Sequence, residues 1–452
     1  MGRRFLPVLV IGFLCFGVGF ASAAPASKQP TDPFFPHSGN FGYDVKHYDV
    51  TLRYEPPTGM LTARDEIEAR ATSKLSEFSL DLVGLKVTSV SVDGEPARYT
   101  RGKQKVNVIP AKPVAKGNGF SVEVDYQGVP RKVVDPDGSI EGWYRTGDGA
   151  VGVGEPIGTA AWLACNNALR DKATFEIQVT VPAGAKAVSN GVLVSREETG
   201  GRATFTWSEA APMEPYLALV DIGRGELIEG RAGSTPTWTL IDPQRLEEAQ
   251  KDLKMLPEVI AWESAIFGPY PFAAAGSAID VAHLGYALES QTRPIYGYAP
   301  DRNEVVHETA HQWFGDSVSL ERWSEMWLNE GFATWTEWFY AERHGGKSAQ
   351  EVFEKLDGIP ASNTEFWTPA PMRIAGPASL FAGPTYLRGA MTLQALRDKV
   401  GTETFLRILR SWAGRHRHGH GDTDQFIALA ERLSGRRLGA FFDAWLFEPG
   451  KP

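Results

Sequence analysis

Residues 305–313 read VVHETAHQW, and they place two histidines, His307 and His311, four positions apart. On an α-helix, residues with this spacing lie about 6 Å apart along the axis and on the same face, so both imidazoles can reach one metal ion. Glu308 lies about 100° around the helix from His307, where its carboxylate can take a proton from water beside the ion. The segment therefore predicts a buried helix with a metal site and a general base.

A third candidate ligand, Glu330, is separated from His311 by 18 residues. It lies among apolar and aromatic residues that predict a second buried helix from about Ser324 to Tyr340. A buried carboxylate costs several kcal/mol unless it is paired or bound to a metal. Zinc is the natural partner, because it accepts histidine and carboxylate ligands. The alternative is a solvated Glu330 with two unrelated histidines.

Residues from about Phe35 to about Gly230 alternate between apolar and polar side chains, which is typical of half-buried strands. The clearest inward faces are Tyr48, Val50, Leu52 and Tyr54, then Phe78, Leu80 and Leu82, then Phe175, Ile177, Val179 and Val181. Turn sequences such as Asn190-Gly191 separate the runs. Residues 35–230 are therefore predicted to form an all-β domain of the saddle or sandwich type.

The hydrophobic spacing changes to three and four after Asp242, which we interpret as a helix N-cap with Pro243 at the first helical position. Strand-like residues return only around 278–292, just before the metal segment. Residues 231–452 are therefore predicted to form a mostly helical domain. A chain of 452 residues with 42% hydrophobic content is long enough for two cores, so we expect an α+β protein with two domains.

The composition of residues 1–23 is typical of a signal peptide, with two arginines, an apolar run over 5–20 and small residues at 21–23. The apolar run is shorter than the roughly 20 residues that a membrane-spanning helix needs, so an anchor is the weaker alternative. We expect a secreted protein, extracellular or periplasmic, with residues 24–34 as a linker. Cleavage would leave Cys165 without a cysteine to pair with.

The chain has a formal net charge of −9, which becomes −11 when the two arginines of the signal peptide are removed. Nucleic acids and anionic membranes attract basic surfaces. We therefore expect no nucleic-acid partner and no stable membrane insertion after signal cleavage.

Together with the metal ligands, further segments resemble the aminopeptidase N family of gluzincin zinc metallopeptidases. GYALES at 285–290 looks like the exopeptidase signature of that family, and YLRGA at 386–390 looks like its catalytic tyrosine segment. Residues 162–175 and 441–446 are similar to two more family landmarks. The resemblance covers nearly the whole mature chain, and it implies that a thermolysin-like catalytic domain follows the β-rich domain.

The resemblance also implies zinc-dependent hydrolysis of peptides. One zinc ion per chain would be bound by His307, His311 and Glu330, and it would activate a water molecule. Glu308 would act as general base and then as acid, while the hydroxyl group of Tyr386 would stabilise the oxyanion. Without the resemblance, Tyr386 could equally be a core tyrosine.

Peptide substrates with a free N-terminus are implied by the same resemblance. Glu289 would bind the α-ammonium group through charge-assisted hydrogen bonds. The backbone of Gly285, Tyr286 and Ala287 could receive the substrate as an additional strand. Glu155 occupies the position of a glutamine that contacts the amine in many relatives, so two carboxylates would surround one ammonium group; a surface glutamate is the alternative.

Two departures from the family pattern leave other functions open. Many members continue into a helical domain that caps the active site, and we expect a short form without it. Leu288 and Ser290 replace the common methionine and asparagine, which affects the preference for the first residue. A zinc endopeptidase and a non-catalytic binding protein on the same fold are the alternatives. The histidine-rich residues 415–420 are expected to form a solvated loop.

Overall fold

Strands occupy the first part of the chain and α-helices the second, as the sequence predicted. The computed structural model describes residues 32–282 and 284–452. The predicted signal peptide and most of the predicted linker lie outside the described residues. Cys165 is buried and unpaired within this part of the chain.

The β-rich part contains sixteen strands. They are β1 (Tyr43–Glu55), β2 (Met60–Ala71), β3 (Phe78–Asp81), β4 (Lys86–Val92), β5 (Glu95–Pro96), β6 (Arg98–Arg101), β7 (Lys105–Ile109), β8 (Gly119–Gly128), β9 (Lys132–Val134), β10 (Ile140–Arg145), β11 (Ala150–Val153), β12 (Ala173–Pro182), β13 (Lys186–Ser189), β14 (Val192–Thr199), β15 (Arg202–Met213) and β16 (Val220–Gly223). Short 3-10 helices cover Gly158–Ala161 and Pro215–Leu217.

The second part begins with two strands and continues mainly in helices. Its strands are β17 (Glu226–Ala232), β18 (Thr235–Ile241), β19 (Ala275–Ile279), β20 (Ala287–Leu288), β21 (Ile295–Tyr296), β22 (Val318–Leu320) and β23 (Gly419–Gly421). Its helices are α1 (Leu246–Leu253), α2 (Leu256–Phe267), α3 (Arg302–His311), α4 (Trp327–Arg343), α5 (Ala349–Asp357), α6 (Thr364–Trp367), α7 (Gly383–Val400), α8 (Thr402–Arg415), α9 (Thr423–Ser434) and α10 (Gly439–Phe442). Shorter helical turns cover Trp323–Glu325, Pro371–Arg373, Pro377–Ser379 and Asp443–Phe447. Within the described residues, no helix has both the length and the apolar composition needed to cross a membrane.

An eight-stranded sheet in the order β14-β15-β12-β1-β2-β8-β4-β5 forms the largest layer of the β-rich part. Successive side chains of a strand point to opposite faces, so every second residue of β1 can enter the core. Tyr48, Val50, Leu52 and Tyr54 are all fully buried, which confirms the predicted face. The ring of Tyr54 packs edge-on against Trp143 of β10, with 5.3 Å between centroids. This contact joins the large sheet to a second sheet, β13-β16-β11-β10-β9.

The helices α4 and α7 approach each other closely at two glycines. A Cβ atom on Gly331 would lie 2.9 Å from the backbone of Gly389, a distance that real side chains do not tolerate. Gly331 therefore requires glycine, and a Cβ atom on Gly389 would be tightly placed, 3.0 Å from the backbone of Gly331. The contact brings the start of α7 beside Glu330 on α4, so it places two separately predicted motifs in one site.

One sequence expectation differs from the structure at the junction between the parts. Asp242 does not cap a helix, because its carboxylate accepts a hydrogen bond from the backbone of Gln244 in a turn, 2.7 Å away, and α1 begins only at Leu246. The predicted domain boundary between residues 230 and 231 lies within β17, which pairs with β18. The exact boundary stays a prediction.

Candidate metal centre and active site

Helix α3, which carries the two histidines, begins at a capping box formed by Asp301 and Glu304. The side chain of Asp301 accepts hydrogen bonds from the backbone of Asn303 and Glu304, and Glu304 reaches back to the backbone of Asp301. This capping box satisfies amide groups that have no partner inside the helix. The imidazole centroids of His307 and His311 lie 4.8 Å apart on the face that contacts α4.

The predicted third ligand lies opposite both rings. Oε2 of Glu330 is 3.2 Å from Nε2 of His307 and 3.4 Å from Nε2 of His311. In a tetrahedral zinc site with ligand bonds of about 2.0–2.1 Å, neighbouring ligand atoms are about 3.3 Å apart. The three donors thus fit a zinc ion in both chemistry and spacing. Although burial alone would raise the pKa of Glu330, the two imidazoles lower it to about 2.

The other nitrogen of each imidazole has a partner that orients the ring. Nδ1 of His307 lies 2.6 Å from Oε1 of Glu337, and Nδ1 of His311 lies 3.1 Å from the carbonyl oxygen of Phe314. Such partners fix the tautomer and leave Nε2 free for a metal. The sequence did not identify Glu337. Its position two helical turns after Glu330, on the same face of α4, is the signal that could have revealed it.

Glu308 is buried beside the ligand set, with 6% of its surface exposed. One of its carboxylate oxygens lies within 4.8 Å of ligand atoms of both Glu289 and His311. Burial raises the pKa of Glu308 to about 8, although His307 and His311 act in the opposite direction. Burial therefore makes the Glu308 carboxylate a better proton acceptor than an exposed glutamate.

Glu289 and Glu155 approach the site from different parts of the chain. Oε1 of Glu289 is 3.9 Å from Nδ1 of His311. In each glutamate, Oε1 is buried and has no hydrogen-bond partner within the described residues. Burial raises the pKa of Glu155, and the nearby carboxylates of Glu289 and Glu330 raise it further. Two buried carboxyl groups can accept hydrogen bonds from a cationic group, and such a group would favour their ionised form.

The segment Gly285 to Ala287 lies at an open sheet edge. Strand β20 is the last strand of the order β17-β18-β19-β21-β20, and it pairs only with β21 among the described strands. The hydroxyl of Tyr286 donates to the carbonyl oxygen of Ile140 on β10 at 2.6 Å. Gly285 has φ of +80°, and nothing lies within 4 Å of where its Cβ would be. An extended peptide can add to such an edge.

Tyr386 lies in the first turn of α7, and its ring is nearly parallel to that of His307, with 6.3 Å between centroids. Burial raises its pKa well above the ordinary value for tyrosine, and the surrounding carboxylates raise it further. The hydroxyl therefore keeps its proton and can act as a hydrogen-bond donor.

The guanidinium of Arg388 fixes α7 against the C-terminal residues. It donates to four carbonyl oxygens, those of Trp367, Ala444, Trp445 and Glu448, at 2.6–2.9 Å. This contact joins the YLRGA segment to the 441–446 landmark and so supports the position of Tyr386.

The histidine-rich loop at 415–420 lies outside the metal centre. Nε2 of His420 is 2.6 Å from Oε1 of the buried Glu214, and β23 pairs with β22. His420 therefore attaches one end of the loop to the β-rich part, whereas Arg415 and Arg417 are exposed, as expected for a solvated loop. Among the described residues, the groups with metal-ligand spacing are the two that share His311.

Comparison with known families supports this arrangement. Residues 44–217 match the peptidase M1 N-terminal domain, and residues 298–445 match the peptidase family M1 domain. A leucyl aminopeptidase of Saccharolobus solfataricus is 24% identical over 444 residues, which is 90% of this chain and 54% of that protein. The tricorn protease-interacting factor F2 of Thermoplasma acidophilum is 23% identical over 440 residues, again 90% of this chain and 54% of that protein. The chain spans about half the length of these curated relatives.

Solved structures extend the similarity to nearly the full described fold. An M1 zinc metallopeptidase from Deinococcus radiodurans has a TM-score of 0.84 and 28% identity, covering 93% of this chain and 97% of that one. A mutant of that enzyme bound to a Tyr-Ser-Ala substrate matches with the same score and identity, covering 93% of this chain and 98% of that one. Both domain matches and this shared fold agree with the ligand geometry of His307, His311 and Glu330, and the chain belongs to peptidase family M1.

Proposed function

We propose that the protein is a secreted zinc aminopeptidase that removes the N-terminal residue from peptides. The observation that carries the proposal is the position of Glu289, whose buried Oε1 atom has no hydrogen-bond partner among the described residues and lies 3.9 Å from Nδ1 of His311. A carboxylate this close to a proposed metal ligand can bind a free α-ammonium group while the first peptide bond lies at the metal. Relatives named as aminopeptidases and a related enzyme bound to a tripeptide support the substrate class.

In the proposed reaction, the chain positions and moves protons around the metal. Zinc held by the three donors would supply Lewis acidity and make water a nucleophile at neutral pH. The Glu308 carboxylate accepts the proton of the attacking water and passes it to the nitrogen of the leaving peptide. The hydroxyl of Tyr386 donates a hydrogen bond to the oxygen that becomes negative in the transition state.

Recognition of the amino terminus is assigned to Glu289 and Glu155. Charge-assisted hydrogen bonds to an ammonium group are about twice as strong as neutral ones, and exclusion of water strengthens them further. The free edge of β20 would align the peptide backbone, with Gly285, Tyr286 and Ala287 beside it. The ammonium group thus determines which peptide bond reaches the metal.

The test is hydrolysis of an aminoacyl-nitroanilide and of a peptide with and without an N-acetyl group. We expect zinc-dependent cleavage of the free-amine substrates, no cleavage of the acetylated peptide, and loss of activity in Glu308→Ala. Glu403→Ala is a suitable control, because this helix residue is exposed and distant in sequence from the site residues. Efficient cleavage of the acetylated peptide would instead indicate a zinc endopeptidase. A protein that holds stoichiometric zinc and cleaves nothing would be a binding protein.

A further inference from the structure

The carboxylate of Glu289 is positioned through its backbone. Its Oε1 atom has no hydrogen-bond donor in the described part of the chain, although the residue is only 3% exposed. No hydrogen bond to Oε1 within the described residues fixes the position of this atom, so the main chain of Glu289 is important for where the carboxylate lies. The residues that follow, Ser290 to Arg293, are completely buried. We call Glu289 to Arg293 the anchor segment.

The side chain of Gln312 makes hydrogen bonds to the first and the fourth residue of the anchor segment, Glu289 and Thr292. Nε2 of Gln312 donates to the carbonyl oxygen of Glu289 at 3.3 Å, and Oε1 accepts from the backbone amide of Thr292 at 2.7 Å. Gln312 directly follows the metal ligand His311 at the end of α3. The amide group therefore connects the backbone of the amine-binding residue to the helix that carries the metal ligands.

Thr292 has an unusual backbone conformation for its residue type. Its φ of +65° lies in the left-handed region, which β-branched residues rarely adopt. Such a conformation persists only where the surrounding structure imposes it. Here Oγ1 of Thr292 accepts a hydrogen bond from the backbone amide of Gly191 at 2.7 Å, and the residue is fully buried.

The β-rich part provides the surface that holds Thr292. Nδ2 of Asn190 donates to the carbonyl oxygen of Gln291 at 2.7 Å, next to the contact between Gly191 and Thr292. A Cβ atom on Gly191 would lie 2.1 Å from the carbonyl oxygen of Ser208, so this position requires glycine. The Asn190-Gly191 turn thus contacts two consecutive residues of the anchor segment.

Arg293 attaches the end of the anchor segment to both parts of the chain. Its guanidinium donates to the carbonyl oxygens of Ser189, Gly191, Trp238 and Ala275. It also lies over the rings of Trp207 and Trp238, 5.1 and 5.9 Å from their centroids. All three nitrogens of the guanidinium donate in this buried site, so the end of the segment cannot shift without losing several contacts.

We infer that Thr292 and Gln312 are positioning residues, which hold Glu289 at the distance from the metal that an N-terminal ammonium group requires. The inference rests on the proposed aminopeptidase function. Its physical basis is that a displacement of about 1 Å in a substrate-positioning group can reduce the rate by about 100-fold. The β-rich part would then contribute to the reaction in two ways. The backbone amide of Gly191 would hold the Thr292 hydroxyl, and Glu155 would contact the ammonium group.

A double-mutant cycle in substrate binding tests whether Thr292 acts through Glu289. The zinc-loaded Glu308→Ala protein is the parent, so that bound Tyr-Ser-Ala is not cleaved. Thr292→Val keeps the shape and the strain but removes the acceptor of the Gly191 amide. We expect it to weaken binding about 10-fold with Glu289 present and less than about 2-fold in a Glu289→Gln background. Equal weakening in both backgrounds, or no weakening, would overturn the inference.

Hydrogen exchange of the anchor segment provides a measurement that does not depend on activity. Thr292→Val should increase amide exchange in residues 289–293 by about 10-fold, because the segment opens locally more often. Thr292→Ser keeps the hydroxyl and should behave like the parent. Thr392→Val is the matched control, because its buried hydroxyl bonds only within α7, to the carbonyl oxygen of Arg388.

The outcomes separate this inference from the proposed function. If the wild type cleaves no free-amine substrate but Thr292→Val loosens the anchor segment, the aminopeptidase proposal fails and the anchoring role stands. If the wild type is an aminopeptidase and exchange in residues 289–293 is unchanged by Thr292→Val, the positioning role is wrong. Zinc content measured for every variant shows whether the metal site has been altered instead.

Discussion

Glu337 provides a test of the metal centre that leaves all three ligands in place. Its Oε1 atom lies 2.6 Å from Nδ1 of His307, and the Glu337 side chain is 24% exposed. A hydrogen bond to a charged group contributes about 1.5–3 kcal/mol, and partial exposure favours the lower end of that range. A loss of about 1.5 kcal/mol corresponds to a roughly tenfold weaker zinc Kd. We therefore expect Glu337→Ala to bind zinc about tenfold more weakly than the wild type.

Glu337→Gln should have a smaller effect, because its amide oxygen can still accept the hydrogen bond although the charge is lost. Competition with a chromophoric zinc chelator at fixed pH measures both Kd values. Glu342→Gln is the matched control, since Glu342 lies on the same helix but pairs with Arg397, 2.8 Å away, instead of a histidine. A zinc affinity of Glu337→Ala equal to that of the wild type would refute the assigned role. An equal loss of zinc affinity in Glu342→Gln would also refute the role assigned to Glu337.

Three further predictions concern substrate binding, pH and metal removal. Glu155→Gln should raise KM for free-amine substrates several-fold with little change in kcat, because one of two carboxylates near the ammonium group loses its charge; an unchanged KM would exclude Glu155 from recognition. Burial raises the pKa of Asp65 to about 8, so the folded state keeps a proton that the unfolded state releases above about pH 4. The contribution of Asp65 to the free energy of unfolding should therefore fall as the pH rises from 4 to 8. Asp65→Asn does not titrate, so its melting temperature should rise relative to that of the wild type over the same pH range. Chelation of zinc should lower the melting temperature, by an amount that depends on free zinc, because the metal binds the folded state.

The position of two histidines on one helix face and the type of each main element could be predicted from the sequence, because the determining patterns are local. Two histidines on one helix face need only a spacing of four residues. The alternation of Tyr48, Val50, Leu52 and Tyr54 likewise indicates a strand without any knowledge of its neighbours. Each of these signals lies within about one helix or strand.

Residues that act through distant partners could not be predicted in this way. Glu337 acts on a histidine of another helix, and Gln312 acts on a loop that precedes its own helix. His420 bonds to Glu214, more than 200 residues earlier, and the local composition of its loop gave no sign of this contact. The start of α1 was misplaced because an aspartate followed by proline suits both a helix cap and the turn that forms here.

Buried hydrogen bonds join the β-rich part to the part that carries His307, His311 and Glu330. Nζ of Lys172, from the β-rich part, donates to the carbonyl oxygens of Asp316 and Ser317, just beyond the helix that carries the histidines. Burial lowers the pKa of Lys172 to about 8, so this contact holds a cation that is largely withdrawn from water. Arg293 of the second part is held by carbonyl oxygens of Ser189 and Gly191 in the first. Buried cations from each part thus donate to backbone acceptors of the other, and separating the parts would break these hydrogen bonds. The β-rich part therefore contacts the backbone just beyond the helix that carries His307 and His311, and it also contains Glu155.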